Sequence, residues 1–284
     1  MIRLSDRLEK IASCVASGES LADVGTDHGL LPMALHERGV SRRLVLCDVN
    51  EGPLEKTRDG LRRRGFARDA APSGEARGSG GRAAGSGEFW GEGAFELRKG
   101  SGLEPLEAGE VDAVALAGMG GRLIIDILAA DLEKSRSFGK YALQPRNAAD
   151  KLREWLARNG FPVREDGLAM EGGHICTVML AVPRPGAAAR GRAEAAGPSA
   201  FGGERLRRVV SSLESCGAAY DMSEGLIARR DPLLAEWLER KLRTFDRILA
   251  SMADSGIGPH ETADAIAAKR DAYSEALRYI RDGD

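Results

Sequence analysis

Short apolar runs alternate with segments of helical spacing over the first 182 residues, and this alternation most narrows what the chain can become. The runs Ser20–Val24, Arg43–Cys47, Phe95–Arg98, Val111–Leu116 and Tyr141–Leu143 predict strands. Between them, Leu30–Arg38, Glu51–Arg64, Leu123–Ala130 and Ala148–Asn159 predict helices. A further helix is predicted over Arg3–Val15, where Leu4, Leu8, Ile11 and Val15 share one face. Each β-to-β step then needs a helical crossover, so the class is α/β with a doubly wound, mainly parallel, Rossmann-like sheet. The last two apolar runs, Pro162–Met170 and His174–Val182, are joined only by Glu171-Gly172-Gly173. They read as a closing antiparallel hairpin.

Two stretches break the pattern. Residues 67–94 are crowded with Gly, Ala, Ser, Arg and Glu and predict a flexible surface insertion. Pro183–Gly203 is rich in Ala, Gly, Pro and Arg and predicts a linker over 185–203 between a first domain, 1–184, and a second, 204–284. The second domain reads as helical throughout. Gly203–Ala219 is one segment. Pro232–Ala253 carries Leu238, Leu242, Phe245, Leu249 and Met252 at coiled-coil spacing, and Thr262–Arg281 carries Ile266, Tyr273, Leu277 and Ile280. Their short connection predicts an antiparallel helical hairpin, although the same spacing also suits a dimer interface, so monomer and dimer both stay open.

Charge and cysteine content exclude several classes. With 43% hydrophobic and 30% charged residues the chain is expected to be globular, and the net charge of −2 rules out a globally basic nucleic-acid binder. Cys14, Cys47, Cys176 and Cys216 form no CxxC pair, so small buried hydrophobes are expected rather than a metal site. The chain carries neither a long apolar span nor an apolar leader, which predicts a cytoplasmic protein away from membranes.

The candidate chemistry gathers at strand ends. Asp23-Val24-Gly25-Thr26-Asp27-His28-Gly29 closes the first strand on an acid and a glycine before a helix begins. Such a turn suits the amino-acid end of S-adenosyl-L-methionine, because a glycine lets a ligand approach the backbone. An ordinary β–α turn is the alternative; a dinucleotide site is disfavoured by the incomplete GxGxxG spacing. Asp48, at the end of the second strand, is placed to accept from both ribose hydroxyls of a nucleoside. Ala115-Leu116-Ala117-Gly118-Met119-Gly120-Gly121 ends the fourth strand, where class I methyltransferases hold the reacting groups. The closing hairpin also favours that class over NAD-type folds. Leu143-Gln144-Pro145-Arg146-Asn147 ends the next strand; Gln144 and Asn147 either read a base edge or serve as turn and cap residues.

These motifs together resemble the bacterial tRNA (adenine-N1)-methyltransferases that act at nucleotide 22, the TrmK family. The likeness rests on Leu4-Ser5-Asp6-Arg7-Leu8, on Ala22–Pro32 with its Gly-Thr-Asp-His, on the Ala-Gly-Met-Gly-Gly run and on Leu-Gln-Pro-Arg-Asn. It covers about residues 3–66 and 95–182. The resemblance implies a class I catalytic domain with a C-terminal coiled-coil hairpin, S-adenosyl-L-methionine as cofactor and tRNA as partner. It implies that Arg7, Asp23, Gly25, Asp27 and His28 line the methionine end, that Asp48 serves the ribose, and that Gly118, Met119 and Gly120 lie near the methyl group; Val49 and Ala117 are further cofactor-site candidates. Ser101 and Gly102 fall where the family usually has Gly-Asp-Gly-Leu, so a carboxylate expected near adenine is missing. Adenine N1 has a free lone pair and needs no strong base, which fits the absence of a catalytic His or Cys pair. The catalytic candidates are Asp27, Gly118, Met119, Gln144 and Asn147. His28 is read as a cofactor-site residue before a base. Arg229, Arg230, Lys241 and Arg243 are candidate phosphate contacts, with a solvated helix face as the alternative. Another acceptor, or a non-catalytic RNA- or partner-binding protein, remains open at this point.

Overall fold

The computed structural model describes residues 1–69, 87–184, 203–255 and 260–282. Eight strands among these residues form one sheet: β1 Leu21–Val24, β2 Leu44–Asp48, β3 Glu88–Trp90, β4 Phe95–Lys99, β5 Ala113–Met119, β6 Lys140–Pro145, β7 Val163–Glu171 and β8 His174–Ala181. Their order is β3-β4-β2-β1-β5-β6-β8-β7. The five strands β4, β2, β1, β5 and β6 are parallel; β3 runs antiparallel at one edge, and at the other β8 runs antiparallel to both β6 and the edge strand β7. The predicted doubly wound sheet and its closing hairpin are both present.

Side chains alternate between two cores, as the pleat requires. Leu44 and Leu46 of β2, with Ala113 and Ala115 of β5, join Leu21, Phe95 and Leu97 on one face. That face is covered by α1 Asp6–Ala12, α2 Leu30–Glu37 and α3 Glu51–Arg63, through Ile11, Met33, Leu35 and Leu61. Val45, Cys47, Val114, Leu116 and Leu143 point the other way, against Ile124 and Leu128 of α4 Gly121–Ala130 and Leu152 and Leu156 of α6 Ala149–Arg158. Burial on both faces explains why the strands read as continuous apolar runs.

α1 is shorter than its apolar spacing predicts. The Ser5 hydroxyl accepts from Leu8 N at 3.4 Å and starts the helix, and Ser13 Oγ donates to the Lys10 carbonyl at 2.7 Å where it stops. The short α5 Leu132–Ser137 was not anticipated; its Asp131 cap accepts from Lys134 N at 3.0 Å.

The expectation of an unstructured excursion over 67–94 is corrected at both of its ends. Arg68 bridges to Trp90, β3 pairs with β4, and the Trp90 ring is buried beneath the Arg62 guanidinium. Asp69 accepts from the amides of Glu92 and Gly93 and closes the turn. The rest of that stretch, 70–86, lies outside the described residues, as does the expected linker between 185 and 202.

Beyond it come α7 Glu204–Ser215, the unanticipated α8 Glu224–Ala228, α9 Pro232–Ser255 and α10 His260–Arg281. They share a third core of Leu206, Val209, Leu226, Ile227, Leu238, Tyr273, Ala276 and Ile280. Arg270 Nε bonds Asp246 Oδ1 at 2.7 Å and Arg281 pairs with Glu239, so α9 and α10 run antiparallel as the spacing predicts. The apolar seam is buried at Leu238 but only half-buried at Leu242, Phe245, Leu249 and Met252, and Ile248 is 40% exposed.

This helical body seats on the edge strand β7. Leu168 of β7 packs against its core. Arg153 of α6 bonds Asp166 Oδ2 at 2.8 Å and the carbonyls of Tyr220 and Asp221 at 3.1 Å. This packing covers an otherwise open sheet edge. The cysteines divide: Cys14 and Cys47 are buried as expected, whereas Cys176 on β8 and Cys216 at the end of α7 are half-buried.

Candidate functional site

Because β1, β2, β4, β5 and β6 are parallel, their C-terminal ends open on one edge of the sheet. β1 lies between β2 and β5, so the order of connection reverses across it, and such a switch point is where open α/β sheets bind ligands. Of the sequence candidates, Asp23 lies near the end of β1 and Gly25, Asp27 and His28 follow it. Asp48 and Val49 end β2, Ser101 and Gly102 follow β4, Ala117, Gly118 and Met119 end β5, and Gln144 and Asn147 end β6. Residues spread over more than a hundred positions of sequence thus meet on one rim.

Two glycines shape it. Gly25 has φ +79°, which strains any side chain, and a Cβ there would lie 2.8 Å from Met119 Cε and push that methyl aside. Gly118 has φ +73°, and its missing Cβ faces open space with no atom within 4 Å. A side chain there would project into that space. His28 also holds a left-handed φ of 65°, a strained state of the kind found at binding turns.

Acidic groups of different character line the edge. The Asp23 carboxyl is raised to about 6, first by burial and then by the charge of Asp48; Thr26 and the Arg7 guanidinium oppose the shift. Asp27 is exposed and pairs with Lys56 Nζ at 3.1 Å and His28 Nε2 at 3.6 Å. Asp48 Oδ1 accepts from Asn50 N at 2.7 Å, which fixes the carboxylate at the strand end, and Val49 beside it is 56% exposed. Ser101 supplies no carboxylate, but the Glu104 side chain reaches back to its amide at 3.4 Å.

In the structure Gln144 fits the turn-residue alternative. Its side chain is buried at the end of β6 and its polar atoms are engaged within the chain. Oε1 accepts from Arg7 Nη1 and from Gly118 N, both at 3.1 Å, and Nε2 donates to the Pro145 carbonyl at 3.0 Å. Gln144 therefore holds the β5 turn. Asn147, by contrast, is exposed, and its Oδ1 lies 3.2 Å from where a Cβ on Gly120 would stand. Arg146 N donates to Met119 O at 2.8 Å and Gly121 N to Asn147 O at 3.1 Å, so the two turns move as one.

Sequence reasoning missed Glu171, which it took for a turn residue. Its carboxylate accepts from Arg7 Nε and from Ser5 Oγ, each at 2.5 Å. Burial acts to raise its pKa, but those two bonds and the charges of Arg7 and Arg146 outweigh it, leaving the group below its ordinary value. No local signal in the sequence links Ser5 to a residue 166 positions away.

The four cations proposed for RNA contact separate into pairs. Arg229 Nη2 bonds the Asp166 carbonyl at 2.5 Å and the Arg230 guanidinium stacks 5.3 Å over Tyr279, so both help hold the helical body together and against β7. Lys241 and Arg243 lie exposed on α9, Lys241 5.3 Å over Trp237 and Arg243 3.9 Å from Glu239. Among the described residues no helix is long and apolar enough to cross a membrane.

Comparison with known proteins agrees with this geometry. A family model described as a methyltransferase domain matches residues 4–73 and 90–179. The chain is 27% identical over 180 residues to the tRNA (adenine(22)-N(1))-methyltransferase of Bacillus subtilis strain 168. That match covers 63% of this chain and 65% of the relative, so it spans slightly less than two thirds of the relative's length. The crystal structure of the B. subtilis m1A22 tRNA methyltransferase TrmK superposes with a TM-score of 0.70 at 20% identity, over 98% of this chain and 100% of that one. M. capricolum TrmK in complex with S-adenosyl-homocysteine superposes with a TM-score of 0.64 at 18% identity, over 98% and 99%. At these identities the structural likeness establishes the fold.

Proposed function

The chain belongs to the methyltransferase-domain family, and from that premise we propose that it methylates N1 of an adenine in tRNA, at nucleotide 22, using S-adenosyl-L-methionine. One observation carries the reading: the parallel strand ends bring a buried acid, a guanidinium and the open backbone at Gly118 together on one edge of the sheet. The cofactor's amino-acid end carries both an ammonium and a carboxylate, and this donor set complements both.

In this reading residues 1–184 are the catalytic unit, 185–203 the connection and 204–284 the RNA-facing helical unit. Asp23 holds the ammonium, with Asp27 and His28 flanking it, and Arg7 holds the carboxylate. Asp48 accepts from the ribose hydroxyls, and Val49 offers an apolar surface beside them. Ser101 and Gly102 border the adenine side, and Ala117, Gly118 and Met119 border the reacting centre. When bound, the cofactor would supply a methyl made electrophilic by its sulfonium; the adenine N1 lone pair would bond to that carbon in line as the carbon–sulfur bond breaks, with a thioether as the leaving group and a cationic 1-methyladenine as the product. The protein's task is alignment. Gln144 and Arg7 fix the β5 turn so that the site keeps its shape. Asn147 contacts the edge of an adenine turned out of its stack. Lys241 and Arg243 meet phosphates, which draw the RNA along α9.

The test is methyl transfer from labelled S-adenosylmethionine to unmodified bacterial tRNA, with nucleoside analysis of the digest. Labelled 1-methyladenosine, absent when A22 is replaced, is the expected result. A different labelled nucleoside, or transfer only to a protein or small-molecule acceptor, overturns the substrate assignment.

A further inference from the structure

Four bonded residues connect the closing hairpin to the reacting turn. Glu171 ends β7, and its carboxylate receives the Arg7 Nε–H on one oxygen and the Ser5 hydroxyl on the other. The Arg7 side chain is only 19% exposed, and its Nη1 donates to Gln144 Oε1 at 3.1 Å. The same oxygen takes the Gly118 amide at 3.1 Å. Glu171, Arg7, Gln144 and Gly118 therefore form one unbroken line from the hairpin, through the start of α1 and the end of β6, to the end of β5.

A guanidinium that is to bind a carboxylate must present a defined edge. Arg7 has its Nε directed to Glu171 and its Nη1 directed to Gln144. Its Nη2 takes part in neither bond, so the guanidinium keeps N–H donors beyond those two bonds. Without Glu171 the fork would be free to rotate about its own chain, Gln144 would lose an aligned donor, and the Gly118 amide would be less firmly held. The effect would fall on the cofactor half of the site, because Lys241, Arg243 and Asn147 take no part in the line.

We propose that Glu171 is a positioning residue for the cofactor: through Arg7 and Gln144 it orients the guanidinium edge that receives the cofactor's carboxylate and steadies the Gly118 turn. This rests on the methyltransferase reading above. It separates Glu171 from a simple anchor of α1 on the hairpin, which would affect stability alone.

The experiment compares wild type, Glu171→Gln and Glu171→Asp, measuring S-adenosylhomocysteine affinity by calorimetry, KM for S-adenosylmethionine and for tRNA, and the melting temperature. Glu171→Gln should weaken S-adenosylhomocysteine binding and raise the KM for S-adenosylmethionine by about tenfold, the effect of one charge-assisted bond. The KM for tRNA should stay within about twofold, because the phosphate-binding cations on α9 are untouched. Glu171→Asp retains the charge and should recover part of the cofactor affinity even if Glu171→Gln folds poorly. A lowered melting temperature with cofactor affinity unmoved in both variants, or both KM values rising together, overturns the proposal. Calorimetry reads the outcome even if wild type leaves tRNA unmethylated, so failure of the substrate assignment is seen separately.

Discussion

Charge is handled in opposite ways at the rim of the parallel strands and on the long helix α9. At the rim Asp23 is buried with a carboxyl near 6, Gln144 is buried with its amide engaged, and Arg7 is held on two sides. On α9 Lys241 and Arg243 are exposed, and their neighbours are a ring face and a carboxylate 3.9 Å away. Buried, bonded charges act through fixed geometry, so one substitution should matter greatly. Exposed cations act through a screened field, so each should matter little and their effects should sum. The difference matches the division of labour proposed here: alignment of a small cofactor at the rim, capture of a large polyanion on the helix.

The sharpest way to break the contrast is Gly118→Val. A β-branched residue there meets a φ of +73° and fills the space beside the β5 turn. Misplacement on this scale should lower methyl transfer about a hundredfold. Near-normal activity in a folded variant would mean that this edge is not where the transfer occurs.

Asp23→Asn comes next. The folded carboxyl sits near 6 against an ordinary 3.8, so the folded chain holds this proton more tightly than the unfolded chain does. Its contribution to stability is full below about pH 4 and is lost as the pH rises through 6, a fall of about 3 kcal/mol in the ligand-free chain. The Asn variant should lack that fall, which thermal melts at pH 4 and pH 8 would detect. Wild-type affinity for S-adenosylhomocysteine should rise from pH 5 to pH 8 as Asp23 ionises to meet the ammonium, and the variant should show a flatter profile. Parallel profiles in the two proteins would remove Asp23 from the cofactor site.

A smaller effect separates the two pairs of cations. Arg229→Ala removes a bond to the Asp166 carbonyl and should cost about 1 kcal/mol of stability, visible as a lower melting temperature. Lys241→Ala should leave the melting temperature unchanged. If the two variants melt alike, the structural role assigned to Arg229 is wrong.

The smallest effect is on tRNA capture. Replacing Lys241 and Arg243 together should weaken tRNA binding modestly and flatten the salt dependence, by about 0.9 in slope for each duplex phosphate left unneutralised. An unaltered slope would place the RNA on another face of the molecule.

Much of this architecture was legible because it follows from local demands. The β–α alternation, the closing hairpin and the antiparallel pair α9–α10 come from periodicity that burial on known faces imposes. Gly25 and Gly118 announced themselves because close approach and left-handed backbone leave few residue choices. Asp48 was readable from its place at a strand end. Long-range partners were not. Glu171 is identified only by Ser5 and Arg7, more than 160 positions away. Gln144 stayed open between a base-edge reader and a turn residue, since nothing near it in sequence shows that Arg7 and Gly118 bond to it. Arg229 and Arg230 looked like a basic patch, because the strand and the ring they meet lie elsewhere in the chain. β3 was overlooked since a three-residue edge strand has too little periodicity to register, even with Phe89 and Trp90 in it.

Hydrogen exchange with and without S-adenosylhomocysteine tests the division between rim and helix most directly, since it reads every segment in one experiment. Added ligand should protect residues 25–29, 48–50, 100–103 and 117–121, and leave α9 and α10 unchanged. Protection centred on α9 and α10, or none anywhere on the rim, would contradict the assignment of the parallel strand ends as the cofactor site.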